Sequence, residues 1–371
     1  MTPNSAKALR RLLQISALLT SFSCAKPLPP APPSGPAGEG PLVPVRFTPF
    51  DNDSKVTGVS YAREEKVNRW AVFVFDQESE WFAYGSSSDE GIIVNLRAGR
   101  TYQCYSLVNY PLSGPGAIDP SSVRSADELT NKLASLSYNR TDNLVMYGSA
   151  TVSPSAQPQG GEGEVVPETT IIHVKRLVSR LDVTRVAVDF SGKPALAAKT
   201  FTLRRIYVTN AYRYARYASD YIYEELSASR SSWYNSGGWH RGETGDPDCD
   251  ALLGSQALDV RIETGSPYTV THSFYTFPNP TSKALDNRQM DLWTRRCTRI
   301  ILECTMDEKT YYYPVDVPAM ERNRIYTVSD IVIKGNGSLD EEELDFDPEA
   351  LEVTFSPSLD WGALYQVNEE S

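Results

Sequence analysis

Short runs with the residue pattern of β-strands recur along most of the chain. The first run alternates Val43, Val45 and Phe47 with proline or polar positions, as a half-buried strand does. Residues 70–76 (WAVFVFD) are almost entirely apolar, which is typical of a strand in the core of a sandwich. Further strands are predicted at 92–96, 102–109, 144–147, 201–210, 299–305, 309–317 and 324–335, and residues 168–190 are predicted as one long strand or two in sequence. The pattern therefore predicts a protein made mainly of β-strands.

One segment has a helical pattern instead. Ser125 and Glu128 have the spacing of a capping box, and Leu129, Leu133 and Leu136 follow at helical spacing. The sequence predicts a helix here, with its leucines packed against the rest of the protein.

The chain is long enough for two domains of ordinary size, at 371 residues. Both halves carry the same kind of strand pattern with few helical segments. The predicted fold class is therefore mainly β, with two tandem β-sandwich domains and one or two short helices. We expect the N-terminal domain at residues 43–182 and the C-terminal domain at residues 183–371.

The first 23 residues have the features of a signal peptide. Basic residues precede an apolar stretch at 12–19, and small residues follow it up to Cys24. The apolar stretch is shorter than the roughly 20 residues that span a bilayer. We therefore expect residues 1–23 to be removed during export.

Cys24 resembles the lipid-acceptor residue of bacterial lipoproteins, and ordinary secretory cleavage beside a chance cysteine is the alternative. Residues 27–40 are rich in proline and glycine, which gives an extended segment that cannot build a core. We interpret residues 24–42 as a lipid-anchored tether. This predicts a globular body held at the surface of the outer membrane.

The composition argues against several classes of function. Acidic residues outnumber basic ones by 47 to 36, and a net charge of −11 argues against a nucleic-acid partner. The chain has three histidines and none of the common catalytic, nucleotide-binding or zinc-binding motifs. We therefore expect no enzymatic activity, no cofactor and no metal. Calcium binding at the carboxylates of 51–53 or 246–250 is an alternative to solvated turns there.

Four cysteines remain after Cys24, at positions 104, 249, 297 and 304. None has the C-x-x-C spacing of a metal or redox site, and export makes disulfides possible. We interpret them as buried thiols.

Residues 212–245 have no clear period and are rich in aromatic residues and arginine, which predicts a long surface loop. Trp233 and Trp239 lie in this segment, and exposed tryptophans stack on sugars or anchor protein contacts. A surface glycan-binding lipoprotein is therefore an alternative function, with these two rings as ligand contacts. The other interpretation is that the rings cover one side of the sandwich.

Four stretches of the sequence together resemble the fimbrillins of type V pili. These are YAREEKVNRWAVFVFD at 61–76, VKRLVSRLDV at 174–183, YYYPVDV at 311–317 with MERNRIYTVSDIVIKGNG at 320–337, and EVTFSPSLDW at 352–361. Their order and spacing extend over nearly all of the mature chain. The resemblance implies two transthyretin-like β-sandwich domains, export as a lipoprotein, and assembly into an adhesive surface fibre by protease-assisted strand exchange.

The resemblance also implies partners and sites. A trypsin-like protease would cut the loop after the first strand, for which we favour Arg63, so that this strand can leave and expose a groove. The segment 351–367 would supply the replacement strand to a neighbouring subunit through Leu351, Val353 and Phe355, which share one face. The implied partners are other fimbrial subunits, the outer membrane, the protease, and a host protein or glycan. An uncut chain would instead be an anchor or tip subunit.

Overall fold

The computed structural model describes residues 40–48, 64–76, 82–87, 91–114, 116–155, 167–219, 232–234, 247–254, 257–282, 296–340 and 347–361. The predicted signal peptide, Cys24, Arg63 and Trp239 lie outside the described residues, as does almost all of the predicted tether.

The first group of strands forms two sheets. Its members are β1 (Leu42–Thr48), β2 (Trp70–Asp76), β3 (Phe82–Ser87), β4 (Ile92–Arg97), β5 (Tyr102–Val108), β6 (Leu133–Ser135), β7 (Met146–Val152), β8 (Glu168–Ile171) and β9 (Lys175–Arg176). One sheet has the order β4-β1-β8 and the other the order β3-β2-β5-β7-β9. The apolar run that forms β2 lies in the core, where its first five residues are completely buried.

Most strands of the second group also form two sheets. Its members are β10 (Ser179–Val183), β11 (Val186–Val188), β12 (Phe201–Thr209), β13 (Ala211–Tyr212), β14 (Tyr214–Arg216), β15 (Trp233–Tyr234), β16 (Val260–Arg261), β17 (His272–Thr276), β18 (Arg299–Met306), β19 (Lys309–Asp316), β20 (Arg324–Ile333), β21 (Leu351–Phe355) and β22 (Leu359–Asp360). One sheet has the order β11-β20-β10-β17, with β21 and β22 also paired to β20, and the other has the order β16-β12-β18-β19. The strand pairing changes from the first group to the second between β9 and β10. The short β6–β14 pair joins the two groups.

The helices of the described residues are short: α1 (Ala126–Asn131), α2 (Pro194–Ala197) and α3 (Pro247–Leu253). The predicted helix is α1, whose first turn is capped by the Ser125 hydroxyl accepting from the Glu128 N–H. It ends before Leu133, because the backbone from Leu133 onwards is extended and pairs with β14. The prediction of a leucine stripe along one helix is therefore wrong. Leu129 lies on α1, Leu133 on β6, and Leu136 on a 3-10 turn.

The predicted fold class, a mainly β protein of β-sandwich type, is confirmed. Two details of the prediction are corrected. The segment 168–190 forms four short strands, from β8 to β11, rather than one or two. The segment 212–245 contributes β14 and β15 rather than loop alone, and part of it lies outside the described residues. No helix among the described residues is long and apolar enough to cross a membrane.

Candidate functional site

The first strand lies in the middle of its sheet. From Leu42 to Phe47, β1 is antiparallel to β4, and from Val45 to Thr48 it is also parallel to β8. The side chains of Val45 and Phe47 are completely buried. β1 is therefore hydrogen-bonded on both sides and fills the space between two other strands.

Both ends of β1 are also fixed by backbone contacts. The Pro41 carbonyl accepts from the Ala98 N–H at 2.9 Å, and the Thr48 carbonyl accepts from the Ile172 N–H at 3.0 Å. Gly40 has a φ of +67°, and a Cβ at this position would lie 2.2 Å from the Ala98 carbonyl oxygen. Glycine is required here both by the left-handed backbone and by this close approach.

The inner face of β1 belongs to the core that β4 also covers. Ile92, Val94 and Leu96 of β4 are buried, whereas Ile93 and Asn95 between them are exposed. β1 has the matching alternation around Val45 and Phe47. Removal of β1 would therefore uncover an apolar groove with open backbone groups along both β4 and β8.

The predicted donor strand is β21. It is antiparallel to β20, and among the strands that the structure describes it pairs with β20 alone. Leu351, Val353 and Phe355 are half-buried against the core, whereas Glu352 and Thr354 are exposed. The three apolar side chains do share one face, and in this chain that face lies on the protein's own second group of strands.

A buried carboxylate, that of Glu64, directly follows the predicted cleavage site Arg63. Glu64 is 5% exposed, and its carboxylate accepts hydrogen bonds from three side chains. Arg180 Nη1 donates to both oxygens, at 3.1 and 3.2 Å, Tyr275 Oη donates to Oε1 at 2.5 Å, and Trp361 Nε1 donates to Oε2 at 3.1 Å. In addition, Arg176 Nε donates to the Glu64 carbonyl oxygen at 3.3 Å.

The partners of Glu64 are themselves held in place. Arg180 Nε donates to Asp182 Oδ1 at 2.8 Å, and its Nη2 donates to the Ser273 hydroxyl at 3.1 Å. Asn323 Oδ1 accepts from the backbone N–H and from Nη1 of Arg176, both at 3.2 Å. We call Glu64, Arg176, Arg180, Tyr275, Asn323 and Trp361 the Glu64 cluster.

The electrostatics of the cluster follow from its burial. Burial raises the pKa of Tyr275, and the neighbouring Glu64 carboxylate raises it further. Burial alone would lower the pKa of Arg180, but its ion pairs with Asp182 and Glu64 outweigh this effect and raise it. The Arg180 guanidinium therefore keeps its charge, and Tyr275 stays protonated and donates to Glu64.

All four stretches that resemble fimbrillins meet in the Glu64 cluster. The first stretch contributes Glu64, the second Arg176 and Arg180, the third Asn323, and the fourth Trp361. The sequence pattern does not predict this cluster. All of its members except Tyr275 lie inside the four stretches, but nothing in one sequence shows that these positions touch.

Of the two tryptophans predicted as ligand contacts, the structure describes Trp233 alone. Trp233 is 1% exposed, and its ring lies against Tyr212 with 3.9 Å between the ring centroids. A buried ring offers no face on which a sugar can stack, so the expectation of a ligand contact at Trp233 is wrong. Trp239 lies outside the described residues.

The cysteines of the described residues are all buried. Cys104, Cys249, Cys297 and Cys304 are buried thiols, and burial raises the pKa of Cys104 to about 12. A thiol of this kind is almost entirely protonated at neutral pH and is a poor nucleophile. No group of histidine, cysteine, aspartate or glutamate side chains within the described ranges is arranged to hold a metal ion.

The chain is similar to known proteins in its structure. No family model and no curated protein sequence matches the chain. Its structure is similar to that of a candidate cell adhesion protein from Bacteroides eggerthii, with a TM-score of 0.58 and 18% identity over 88% of this chain and 98% of that one. A second candidate cell adhesion protein, from Parabacteroides distasonis, has a TM-score of 0.56 and 16% identity over 87% of this chain and 98% of that one.

A fimbrilin from Porphyromonas gingivalis is similar as well. Its TM-score is 0.54 and its identity 14%, over 86% of this chain and 97% of that one. At such low identity the likeness establishes the fold. The resemblance found in the four stretches is therefore confirmed as a shared fold, which extends over nearly the full length of these proteins.

Proposed function

We propose that this chain, which has the fold of a fimbrilin, is a non-enzymatic structural and adhesive subunit of a bacterial surface fimbrium. It is exported as a lipoprotein precursor, anchored to the outer membrane through Cys24 and the tether 24–42, and joined to neighbouring subunits by strand exchange. The proposed domains are residues 43–182 and 183–371.

The position of β1 is the observation that carries this proposal. β1 is completely buried at Val45 and Phe47 and paired on both sides, yet the chain connects it to the rest of the body only through residues 49–63. A cut in that segment leaves β1 held without a covalent bond. Its departure opens an apolar groove flanked by two unpaired strand edges, which favours a replacement strand.

The C-terminal strand has the pattern that this groove accepts. β1 presents Val43, Val45 and Phe47 at alternate positions, and β21 presents Leu351, Val353 and Phe355 in the same order. β21 is also less strongly held than β1. Among the described strands, β21 is hydrogen-bonded to one neighbour, whereas β1 is hydrogen-bonded to two. These two features support the donation of β21 to the groove of a neighbouring subunit.

The surroundings of the other arginines support Arg63 as the processing site. Arg46 lies within β1 itself, where its backbone pairs with both β4 and β8. Arg69 directly precedes β2, and its Nη1 donates to the Tyr110 carbonyl at 2.8 Å. Arg63 is the single arginine of residues 49–63, the segment that connects the two strands.

An arginine-specific protease tests this function. We expect limited digestion of the purified mature chain to give an early cut after Arg63 and then a ladder of oligomers by size analysis. The matched control is Arg63→Gln, which should stay uncut in this segment and monomeric. A cut chain that stays monomeric would contradict strand exchange. A wild-type chain that resists the cut would instead support an anchor or tip subunit, which keeps its own first strand.

A further inference from the structure

One side chain anchors the end of the C-terminal segment, which we define as residues 351–361. All of these residues are described, and Trp361 is the only one that is buried, with 0% exposure. The residues before it are half-buried or exposed, and Leu359 is 46% exposed. Trp361 therefore supplies the one fully buried contact of this segment, in addition to the pairing of β21 and β22 with β20.

Trp361 is held by two contacts to its ring and two hydrogen bonds. The Tyr275 ring stacks against it with 6.0 Å between the centroids, and the Arg176 guanidinium lies 4.6 Å from the ring centre. Its indole N–H donates to Glu64 at 3.1 Å, and its backbone N–H donates to the Asn323 carbonyl at 2.9 Å. Among the described contacts, Glu64 is thus the one hydrogen-bond acceptor for the buried indole N–H.

Glu64 also follows Arg63 directly in the sequence. The same residue therefore lies next to the proposed cut and contacts the C-terminal segment that would be donated. It is the residue that would become the new N-terminus after the proposed cut, and its carboxylate accepts from Trp361 of the C-terminal segment. Resting on the function proposed above, we propose that Glu64 is a latch, which holds the C-terminal segment on its own subunit until the chain is cut after Arg63.

The cut changes the charge of the latch. Hydrolysis of the Arg63–Glu64 peptide bond by a trypsin-like protease consumes one water, leaving a carboxylate on Arg63 and an α-ammonium group on Glu64. This group has a pKa of about 7.7–8.0 in the absence of perturbation and is mostly protonated at pH 7. It forms at a residue that is 5% exposed, and two guanidinium groups, from Arg176 and Arg180, already contact that residue.

A new positive charge at this position weakens the cluster in two ways. Burial of a charge is costly unless an opposite charge compensates it, and Arg176 and Arg180 repel the ammonium group. The new terminus also competes with Trp361 and Arg180 for the Glu64 carboxylate. In addition, Glu64 loses its covalent attachment on one side, and chain ends are less ordered. The latch therefore loosens on cleavage, and Trp361 and the strands before it become free to leave.

Hydrogen exchange of the uncut, full mature chain tests the latch without any polymerisation. In Glu64→Gln one carboxylate oxygen becomes an NH₂ group that faces hydrogen-bond donors. We expect the backbone amides of residues 351–361 to exchange about tenfold faster than in the wild type, while those of β2 and β5 keep their rates. The matched control is Glu65→Gln, because Glu65 contacts the cluster only through Arg176 at 3.7 Å. It should leave the exchange of this segment unchanged.

A second variant removes the indole hydrogen bond without emptying the site. Trp361→Phe keeps a buried ring but has no N–H to donate, so the exchange of residues 359–361 should rise while the fold is kept. If Glu64→Gln fails to fold, Trp361→Phe still tests whether the hydrogen bond between Trp361 and Glu64 holds the C-terminal segment. Unchanged exchange of the C-terminal segment in either folded variant would overturn the latch.

The coupling to cleavage has its own measurement. Wild-type chain cut after Arg63 should show faster exchange of residues 351–361 than uncut chain, in monomers isolated before assembly. A segment that stays equally protected after the cut would overturn the latch even if oligomers form later. Conversely, faster exchange without oligomers would contradict strand exchange and leave the latch intact.

Discussion

Single residues far apart in the sequence meet in the Glu64 cluster. Glu64 and Arg180 are separated by 116 positions, and Glu64 and Trp361 by 297. Removing one partner of a buried ion pair leaves an uncompensated charge, which destabilises a protein by about 3–5 kcal/mol. The cluster should therefore tolerate substitution poorly, in contrast to the ion pairs at the surface.

Arg180→Met tests this at one position. The Glu64 and Arg180 side chains are 6% and 8% exposed, so the variant leaves the Glu64 charge buried without its ion-pair partner. We expect the free energy of unfolding to fall by about 3–5 kcal/mol, measured by denaturant titration of the uncut chain.

Arg185→Met is the matched control for Arg180→Met. Arg185 pairs with Asp330, but the two side chains are 38% and 34% exposed, so water screens the pair. Its loss should cost no more than about 1 kcal/mol. Equal effects of the two substitutions would contradict the structural importance of the cluster.

The buried tyrosines predict a loss of stability at high pH. Burial raises the pKa of Tyr110 and of Tyr147 from 10.0 to about 12, and it also raises the pKa of Tyr275 and Tyr313. The pKa of these tyrosines is higher in the folded state than in the unfolded state. Their protonated side chains therefore contribute fully to stability below pH 10, and this contribution is lost as the pH rises from 10 towards 12.

Denaturant titrations at pH 8 and pH 11, together with absorbance titration of tyrosinate, measure this effect. We expect a lower free energy of unfolding at about pH 11, and ionisation of the buried tyrosines only as the chain unfolds. Full ionisation near pH 10 in a chain that stays folded would contradict the burial of these rings.

The sequence identified some of the important residues and missed others for a physical reason. The alternation around Val45 and Phe47 is local, so their burial could be predicted from neighbouring positions. Glu64 belongs to a charged stretch that is typical of a solvated loop, and its burial depends on Arg180 and Trp361, which are distant in the sequence. Trp233 is the opposite case, because an aromatic and arginine-rich context suggested exposure for a ring that is buried.

At the scale of elements, β1 and β21 have different attachments. β1 is paired on both sides and completely buried at two positions, whereas β21 is half-buried and pairs with one described strand. The uncut chain should therefore depend strongly on the side chains of β1 and only weakly on those of β21.

Phe47→Ala tests the contribution of β1. Deleting a completely buried aromatic side chain leaves a cavity and should lower the free energy of unfolding of the uncut chain by about 3–5 kcal/mol. Arg46→Ala, on the exposed face of the same strand, should change it by no more than about 0.5 kcal/mol. A small effect at Phe47 would show that β1 does not fill the groove as described.

Phe355→Asp tests the role of β21 in assembly. Phe355 is half-buried on a strand that pairs with one described strand, so the uncut monomer should fold with a loss of no more than about 2 kcal/mol. After cleavage the charged side chain cannot enter an apolar groove, and oligomers should be absent on size analysis. Thr354→Asp places the same charge on the exposed face of β21 and should still allow assembly.

Some elements follow from local sequence pattern, and others depend on distant partners. Residues 70–76 are predicted and observed as β2 with the same bounds, because a continuous apolar run of this length fits a buried strand. β3 was missed, since its sequence FAYGSS combines glycine and serine and has no strand pattern. The helix from Ser125 was predicted too long, because the pairing of Leu133–Ser135 with β14 decides the backbone there, and that partner is distant in the sequence.

At the scale of the whole molecule, the chain shares its fold with a fimbrilin at 14% identity. Such low identity means that the pattern of apolar positions, rather than particular residues, specifies the strands. Residues of the four stretches meet where the first group of strands, the second group and the C-terminal segment come together. That junction lies beside the proposed cleavage site after Arg63 and beside the C-terminal segment that contains the proposed donor strand β21.

Native mass spectrometry directly tests whether a strand from one subunit replaces β1 of the next. The chain is cut after Arg63 with an arginine-specific protease, and the masses of the resulting oligomers are measured under non-denaturing conditions. Each junction displaces one N-terminal fragment, so an oligomer should contain at most one such fragment, however many bodies it has. Oligomers that keep one N-terminal fragment for every body would show that β1 never leaves its groove, and would contradict the account.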